Sequence, residues 1–316
     1  MNLHLVTGGA GFIGAHLATA LVKRGARVRV LDNLATGRLE NLAEIADRIE
    51  FVRGDITDPA AVRKACQGVS AVLHEAAQVS VPQSVADPLK SYEINVTGTL
   101  RLLEAAREAG VQRFVFAASS AAYGNSTDLP KIETMLPTPL SPYASGKVAG
   151  EHLLQVWANC HGMRTIALRY FNIFGPRQAD DSPYTGVIAI FAKALLEGRQ
   201  ATIYGDGEQT RDFTYVENVV SANLLALERD LAPGAIVNVG TGQSISINNL
   251  YRAMCERLGV ACAPNYATPR AGDVLYSVAS LERARRVLGY EPKVDWRAGL
   301  GATLDWYKAR FAAVRG

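Results

Sequence analysis

Tyr143 and Lys147 close the run Tyr143-Ala144-Ser145-Gly146-Lys147. Four residues apart, phenol and ammonium share one face if the segment is helical. Among 12 tyrosines this is the only one followed by lysine at that spacing. A phenol ionises near 10, so service as a base at neutral pH requires lowering its pKa by roughly 3 units, or about 4 kcal/mol. A neighbouring ammonium in a water-poor cleft supplies part of that field. Ser119, 24 residues earlier, is the hydroxyl that would bind and position the same substrate oxygen. The plain alternative is a core tyrosine beside a solvated lysine, so the surroundings decide.

A second group of residues can hold a charged ligand. Thr7-Gly8-Gly9-Ala10-Gly11-Phe12-Ile13-Gly14 lies between the first apolar strand and the first helical pattern. Gly8 permits a tight turn, Gly11 lets backbone approach a pyrophosphate, and Gly14 lets the helix pack closely on the strand. The helix N-terminus then offers free N–H groups to the phosphates. Asp32 ends the second strand, 18 residues after Gly14. There a carboxylate accepts bonds from an adenosine ribose 2′-hydroxyl and repels a 2′-phosphate, which favours NAD over NADP. Nearby Arg38 argues the other way, and capping of a loop is the plain alternative for Asp32. Asp55-Ile56 and Ala76-Ala77, after the third and fourth strands, stand where adenine and the cofactor backbone would pass. The positive ring of an oxidised nicotinamide would add to the field on Tyr143.

The elements that must position these groups alternate regularly. Strands are expected at Leu3–Thr7, Arg27–Leu31, Glu50–Arg53, Ala71–His74 and Phe114–Ala118, and helices at Ile13–Arg24, Thr97–Ala109 and Tyr143–Asn159. Such alternation implies right-handed crossovers and an α/β fold, a doubly wound parallel sheet covered on both faces. After Phe171, Pro and Gly become frequent and the strands short, except Ala235–Val239, which reads as a buried strand able to rejoin the sheet. The expected plan is a nucleotide-binding domain at 1–171 plus about 215–242, and a smaller C-terminal α/β substrate-binding domain at 172–214 and 243–316. Composition narrows the class. With 33 Lys+Arg against 30 Asp+Glu, the net charge of +3 does not call for nucleic acid or a membrane surface. No apolar run reaches the ~18 residues of a membrane span. Cys66, Cys160, Cys255 and Cys262 are scattered, with no histidine at zinc spacing, so no metal site is expected and a cytoplasmic protein with reduced thiols is.

The motifs TGGAGFIG, HEAAQ, NVTGT, SSAAYG, YASGK, LRYFNIFG, GDGEQTRDF and RAGDVLYS occur in that order along nearly the whole chain. In this the chain resembles the extended short-chain dehydrogenases/reductases, and among them the UDP-glucose 4-epimerases that also take N-acetylhexosamine nucleotides. The resemblance implies a Rossmann-type fold, with Tyr143 as base, Lys147 as its partner and ribose ligand, and Ser119 with Ser120 positioning the hydroxyl. It assigns Phe12, Ile13, Asn33 and Asn95 to NAD alongside the residues above. It assigns Ser80, Asn172, Val187, Tyr204, Arg211, Arg270, Asp273 and Ser277 to the UDP-sugar, Asn172 and the two arginines at the diphosphate and Tyr204 on the uracil. It also implies a homodimer through the helices around Ser91–Ala109 and Tyr143–Asn159.

Related 4,6-dehydratases and decarboxylases place acidic residues after the fifth strand, where this chain has Ser119-Ser120-Ala121-Ala122. Without an acid there, elimination and decarboxylation are not expected. Epimerisation needs only reversible oxidation at C4 and rotation of the 4-keto sugar, with NAD regenerated in each turn. Ser277 matches the position where relatives restricted to plain hexoses carry tyrosine, so room for an N-acetyl group is expected; Tyr276 is the wall if the match slips by one residue. A UDP-glucuronate 4-epimerase is the alternative, and a non-catalytic NAD-binding regulator a remoter one.

Overall fold

The structure, a computed structural model, describes residues 2–179, 186–230, 232–269 and 274–315. The five early strands form as expected: β1 (Leu3–Thr7), β2 (Arg27–Asp32), β3 (Ile49–Arg53), β4 (Ala71–His74) and β5 (Arg113–Ser119). A sixth, β6 (Arg164–Tyr170), was not singled out from sequence. Short strands follow at β7 (Ile173–Phe174), β8 (Thr202–Tyr204), β9 (Thr210–Arg211) and β10 (Thr214–Tyr215), and β11 (Ala235–Val239) returns to the main sheet. The sheet has seven parallel strands in the order β11-β6-β5-β4-β1-β2-β3. The order reverses between β1 and β4, and a crevice opens beyond the carboxyl ends of the strands at such a switch point.

Alternating side chains explain why the sheet is covered twice. Val6, Val28, Val30 and Leu73 pack with Leu17 and Leu21 of α1 (Phe12–Lys23) on one face. Leu5, Leu31, Val72, Phe114 and Phe116 pack on the other. There they meet α2 (Pro59–Cys66), α5 (Thr99–Glu108) and α6 (Pro142–His161), which follow the short α3 (Val81–Ala86) and α4 (Pro88–Tyr92). The helix expected over Thr97–Ala109 is preceded by a widened π turn, Glu93–Gly98. Asn95 sits in that turn with its amide committed to another loop, as described below.

The C-terminal half has a core of its own, built by α7 (Val187–Leu196), α9 (Ile247–Leu258) and α11 (Trp296–Arg315) around Phe174, Phe191, Tyr251, Met254, Leu304 and Tyr307. Between them α8 (Val216–Glu228) and α10 (Glu282–Leu288) lean on the sheet through Val219, Ala222, Ala284 and Leu288. The small strands β12 (Ile245–Ser246) and β13 (Asn265–Ala267) pair with β9 and β8.

Candidate active site

Helix α6 begins where local chemistry starts a helix. Ser141 Oγ accepts from the Ala144 N–H at 3.2 Å, and Pro142 fills the first helical position. Glycine sets how closely the helix lies on β5: a Cβ on Gly150 would stand 2.4 Å from Phe116 Cζ. That approach carries Lys147, only 4% exposed, into the sheet rim. Its Nζ donates to Ala117 O at 2.6 Å and lies 4.8 Å from the Phe116 ring centroid. Burial pulls the Lys147 pKa down to about 8, although the Glu75 and Glu151 carboxylates favour its charged form.

One turn earlier, Tyr143 stands close enough to Ser119 for the serine hydroxyl to pull on its phenol. Burial pushes the phenol above its ordinary value, Ser119 pulls it back, and Glu75 pushes it further up. In the fold alone, desolvation outweighs the pull of Ser119. Ser119 Oγ also accepts from the Ala121 N–H at 3.1 Å, fixing the turn after β5, which continues through Ser120.

Glu75, just beyond β4, was missed as a site residue. Its Oε1 accepts from Tyr170 Oη at 2.9 Å, and that hydroxyl accepts from Asn223 Nδ2 at 2.7 Å. Its Oε2 is buried without a hydrogen-bond partner. The signal available in sequence was a carboxyl directly after an apolar strand, at the end of the sheet where ligands bind.

The glycine loop is built for close approach. Gly8 has φ +64°, and a Cβ there would meet Ala76 N at 2.7 Å; one on Gly14 would meet Gly8 O at 2.3 Å. A Cβ on Gly11 would meet only Gly8 O, at 3.1 Å, so its outer side is open. Gly11 also begins α1 with no side-chain cap, which leaves the first N–H groups, those of Phe12 and Ile13 among them, for a ligand. Asp32 accepts from the N–H groups of Ala10 (2.9 Å) and Leu34 (2.8 Å), so it is a loop cap. A carboxylate has about four acceptor positions, and two remain for a ribose. Asn33 Nδ2 donates to Asp55 Oδ2 at 2.7 Å, tying the ends of β2 and β3 beside Ile56.

A buried chain of hydrogen bonds fixes the loop that carries Ala76 and Ala77. The Ala76 N–H donates to Thr7 Oγ1 (3.3 Å), which lies 2.7 Å from His74 Nδ1; His74 Nε2 lies 3.0 Å from Thr99 Oγ1, which donates to Asn95 O (2.8 Å). Since Thr99 spends its proton on Asn95 O, Nε2 must carry a ring proton and donate to Thr99 Oγ1. Burial followed by the Lys147 charge holds the His74 pKa down to about 3, so the imidazole is neutral and Nδ1 accepts from Thr7 Oγ1. Asn95 then clasps Gln78, accepting from its N–H (2.8 Å) and donating to its carbonyl (3.0 Å).

The residues expected around the sugar nucleotide are more dispersed. Ser80 caps α3, accepting from the Gln83 N–H at 3.3 Å. Asn172 is exposed just past β6, and its carbonyl accepts from the Thr214 N–H at 3.1 Å. Val187 opens α7, Tyr204 ends β8 half-buried, and Arg211 in β9 donates to Thr210 O at 2.9 Å. Tyr276 bridges to Thr210 and is 49% exposed, whereas Ser277 is 8% exposed. Arg270 and Asp273 lie outside the described residues. No helix among the described residues is long and apolar enough to cross a membrane.

A doubly wound parallel sheet with a glycine loop at β1, an acid at the end of β2, and Ser119, Tyr143 and Lys147 gathered at the end of β5 defines a dinucleotide-dependent enzyme of the short-chain dehydrogenase type. Residues 4–240 match the NAD dependent epimerase/dehydratase family, and the chain belongs to it. A UDP-glucose 4-epimerase of Mycolicibacterium smegmatis is 42% identical over 308 residues, covering 96% of this chain and 98% of its own. A UDP-N-acetylglucosamine 4-epimerase of Methanobrevibacter ruminantium, solved with UDP-N-acetylmuramic acid, superposes with a TM-score of 0.94 at 36% identity, covering 98% of this chain and 99% of that one. The UDP-glucose 4-epimerase of Thermus thermophilus, solved with NAD, gives 0.87 at 40% identity, covering 97% and 99%.

Proposed function

We propose that the protein is an NAD-dependent UDP-hexose 4-epimerase interconverting UDP-glucose and UDP-galactose. The observation that carries this reading is the convergence of Tyr143 and buried Lys147, both on α6, upon Ser119 at the end of β5, in a turn, Ser119-Ser120-Ala121-Ala122, without a carboxyl of its own. The rim fits NAD: the open side of Gly11 and the uncapped start of α1 suit its diphosphate, and Asp32 keeps two acceptor positions for a ribose. Bound there, NAD supplies the hydride acceptor and donor for C4. The chain's part is proton handling. Tyr143 Oη takes the proton of the sugar 4-hydroxyl and returns it after the ring has turned, while Ser119 Oγ holds that oxygen in line. Lys147 contributes fixed positive charge and a ribose contact. Asn172, Arg211 and Arg270 anchor the diphosphate and Tyr204 the uracil, so the sugar turns without leaving.

The small, enclosed Ser277 supports room for an N-acetyl group, as does the named substrate of the Methanobrevibacter relative, so UDP-GlcNAc and UDP-GalNAc belong in the substrate range. Exposed Val85, Leu89, Tyr92, Leu100 and Val156 across α3–α6 support a homodimer. The four free thiols suit the cytoplasm. The separate core of the C-terminal half, with β11 returned to the sheet, supports division into a cofactor domain (1–171 and about 215–242) and a sugar-nucleotide domain (172–214 and 243–316). The test is proton NMR of purified protein with UDP-galactose, followed by kcat/KM for four UDP-hexoses and UDP-glucuronate. UDP-glucose must appear, and a preference for the glucuronate would overturn the substrate assignment.

A further inference from the structure

Glu75 stands at the reacting centre with no part in the chemistry so far. Its N–H donates to Thr7 O at 3.2 Å, which pins its backbone to the sheet rim. Tyr170 Oη holds Oε1 at 2.9 Å and is itself held by Asn223 Nδ2, so β6 and α8 aim the carboxyl, while buried Oε2 has no donor. Burial pushes this carboxyl up to about 7, partly offset by Tyr170 and Lys147. Beside it on the rim, Lys147 of α6 donates to Ala117 O at 2.6 Å, one residue past Phe116, which is the register partner of His74; Tyr143 stands one turn earlier on the same helix, and both feel the Glu75 charge. Among the described residues, the other titratable groups packed nearby are committed or neutral. Glu151, one turn beyond Lys147, is paired through both oxygens with Arg169 of β6 at 2.7 Å each, and His74 is neutral.

We propose that Glu75 is a positioning residue for the epimerisation centre, a negative charge that keeps the proton on Lys147 and holds back ionisation of Tyr143 until substrate and cofactor occupy the cleft. This rests on the epimerase reading. The two effects have the same sign on a pH axis. Once ionised, above about pH 7, this carboxylate favours the charged lysine and disfavours the charged phenol, so its presence moves both ionisations, where they fall in that range, to higher pH. Its removal moves both to lower pH. A residue that only supports the loop would change the height of the pH profile and leave its limbs in place.

The test is the pH dependence of kcat for UDP-galactose in holoenzyme carrying Glu75→Gln and Glu75→Asp, with an ultraviolet difference titration of each protein against its Tyr143→Phe counterpart as a readout free of turnover. In Glu75→Gln both limbs shift down by roughly one pH unit, and Tyr143 ionises at lower pH by a similar amount. Glu75→Asp, which keeps the charge, returns the limbs toward the wild-type positions. Should Glu75→Gln fail to fold, Tyr170→Phe replaces it: losing the donor to Oε1 pushes the carboxyl's ionisation further up, so it stays neutral to higher pH and the limbs shift the same way. A folded Glu75→Gln protein with unmoved limbs, or an unmoved phenol titration, overturns the proposal. Wild-type protein that leaves UDP-galactose unchanged overturns the epimerase reading instead, and the phenol titration then still decides the role of Glu75.

Discussion

The rim of the sheet and the C-terminal half solve different problems with different materials. At the rim, functional groups sit on the ends of strands four to seven residues long and on α6 packed against them, locked by helices on both faces and by buried hydrogen bonds such as Thr7–His74–Thr99–Asn95. In the C-terminal half, Tyr204 and Arg211 sit on strands of three and two residues and are only half-buried. Reacting atoms need placement to a fraction of an ångström, and long paired strands provide it. On the proposed assignment this half holds the nucleotide and the sugar, a task that tolerates looser footing, so it could change its substrate without disturbing the chemistry.

That contrast is open to attack from both sides. The largest effect is expected at Tyr143. Tyr143→Phe should lower kcat by about 10²–10⁴-fold with KM for UDP-galactose nearly unchanged, measured on NAD-loaded protein. A loss below tenfold would mean that the rim does not carry the chemistry. Ser277→Tyr should cost the N-acetylated pair roughly a hundredfold in kcat/KM and spare UDP-glucose and UDP-galactose. Equal loss of both pairs would show that specificity is not separable from catalysis. Gly150→Ala drives a methyl into Phe116 and should cost about 1–3 kcal/mol in chemical denaturation, with a fall in kcat as Lys147 is displaced.

The smallest effect concerns the seam between the halves. His16 Nε2 lies 2.9 Å from Pro176 O, and burial first, with Arg177 and Lys23, holds its pKa down to about 4 against an ordinary 6.5. The unfolded chain therefore binds a proton that the folded chain refuses between those values. Stability from this group is complete above about pH 6.5 and drains away as pH falls toward 4, at roughly 1.4 kcal/mol per pH unit. His16→Gln should thus lose about 2 kcal/mol less than wild type between pH 7 and pH 5 in urea titrations. An identical acid loss would place the sensitivity elsewhere, with His74 the next residue to test.

Much of the sheet was legible because burial on both faces leaves continuous apolar runs: Ala71–His74 is buried at every position. β6 escaped because Arg164 and Arg169 interrupt its apolar stretch. Arg169 is nonetheless 1% exposed, neutralised by Glu151 from α6, a pairing that only the fold brings about. Tyr143, Lys147 and Ser119 could be read from type and spacing, but the sign of the phenol's perturbation could not, since it depends on how dry the cleft is. Ser80 and Asn95 show the same limit, their side chains being engaged by a helix start and by Gln78. The two-residue strands carry too few residues for any periodicity to register.

The placement of β11 beside β6 has a consequence for biosynthesis. As the chain leaves the ribosome, β6 is complete long before its neighbour exists, and until Ala235–Val239 arrives its outer edge is an unpaired template for other chains. A nascent or truncated polypeptide ending after β6 should be sticky and reliant on chaperones, and full solubility should return only once the late strand has been made.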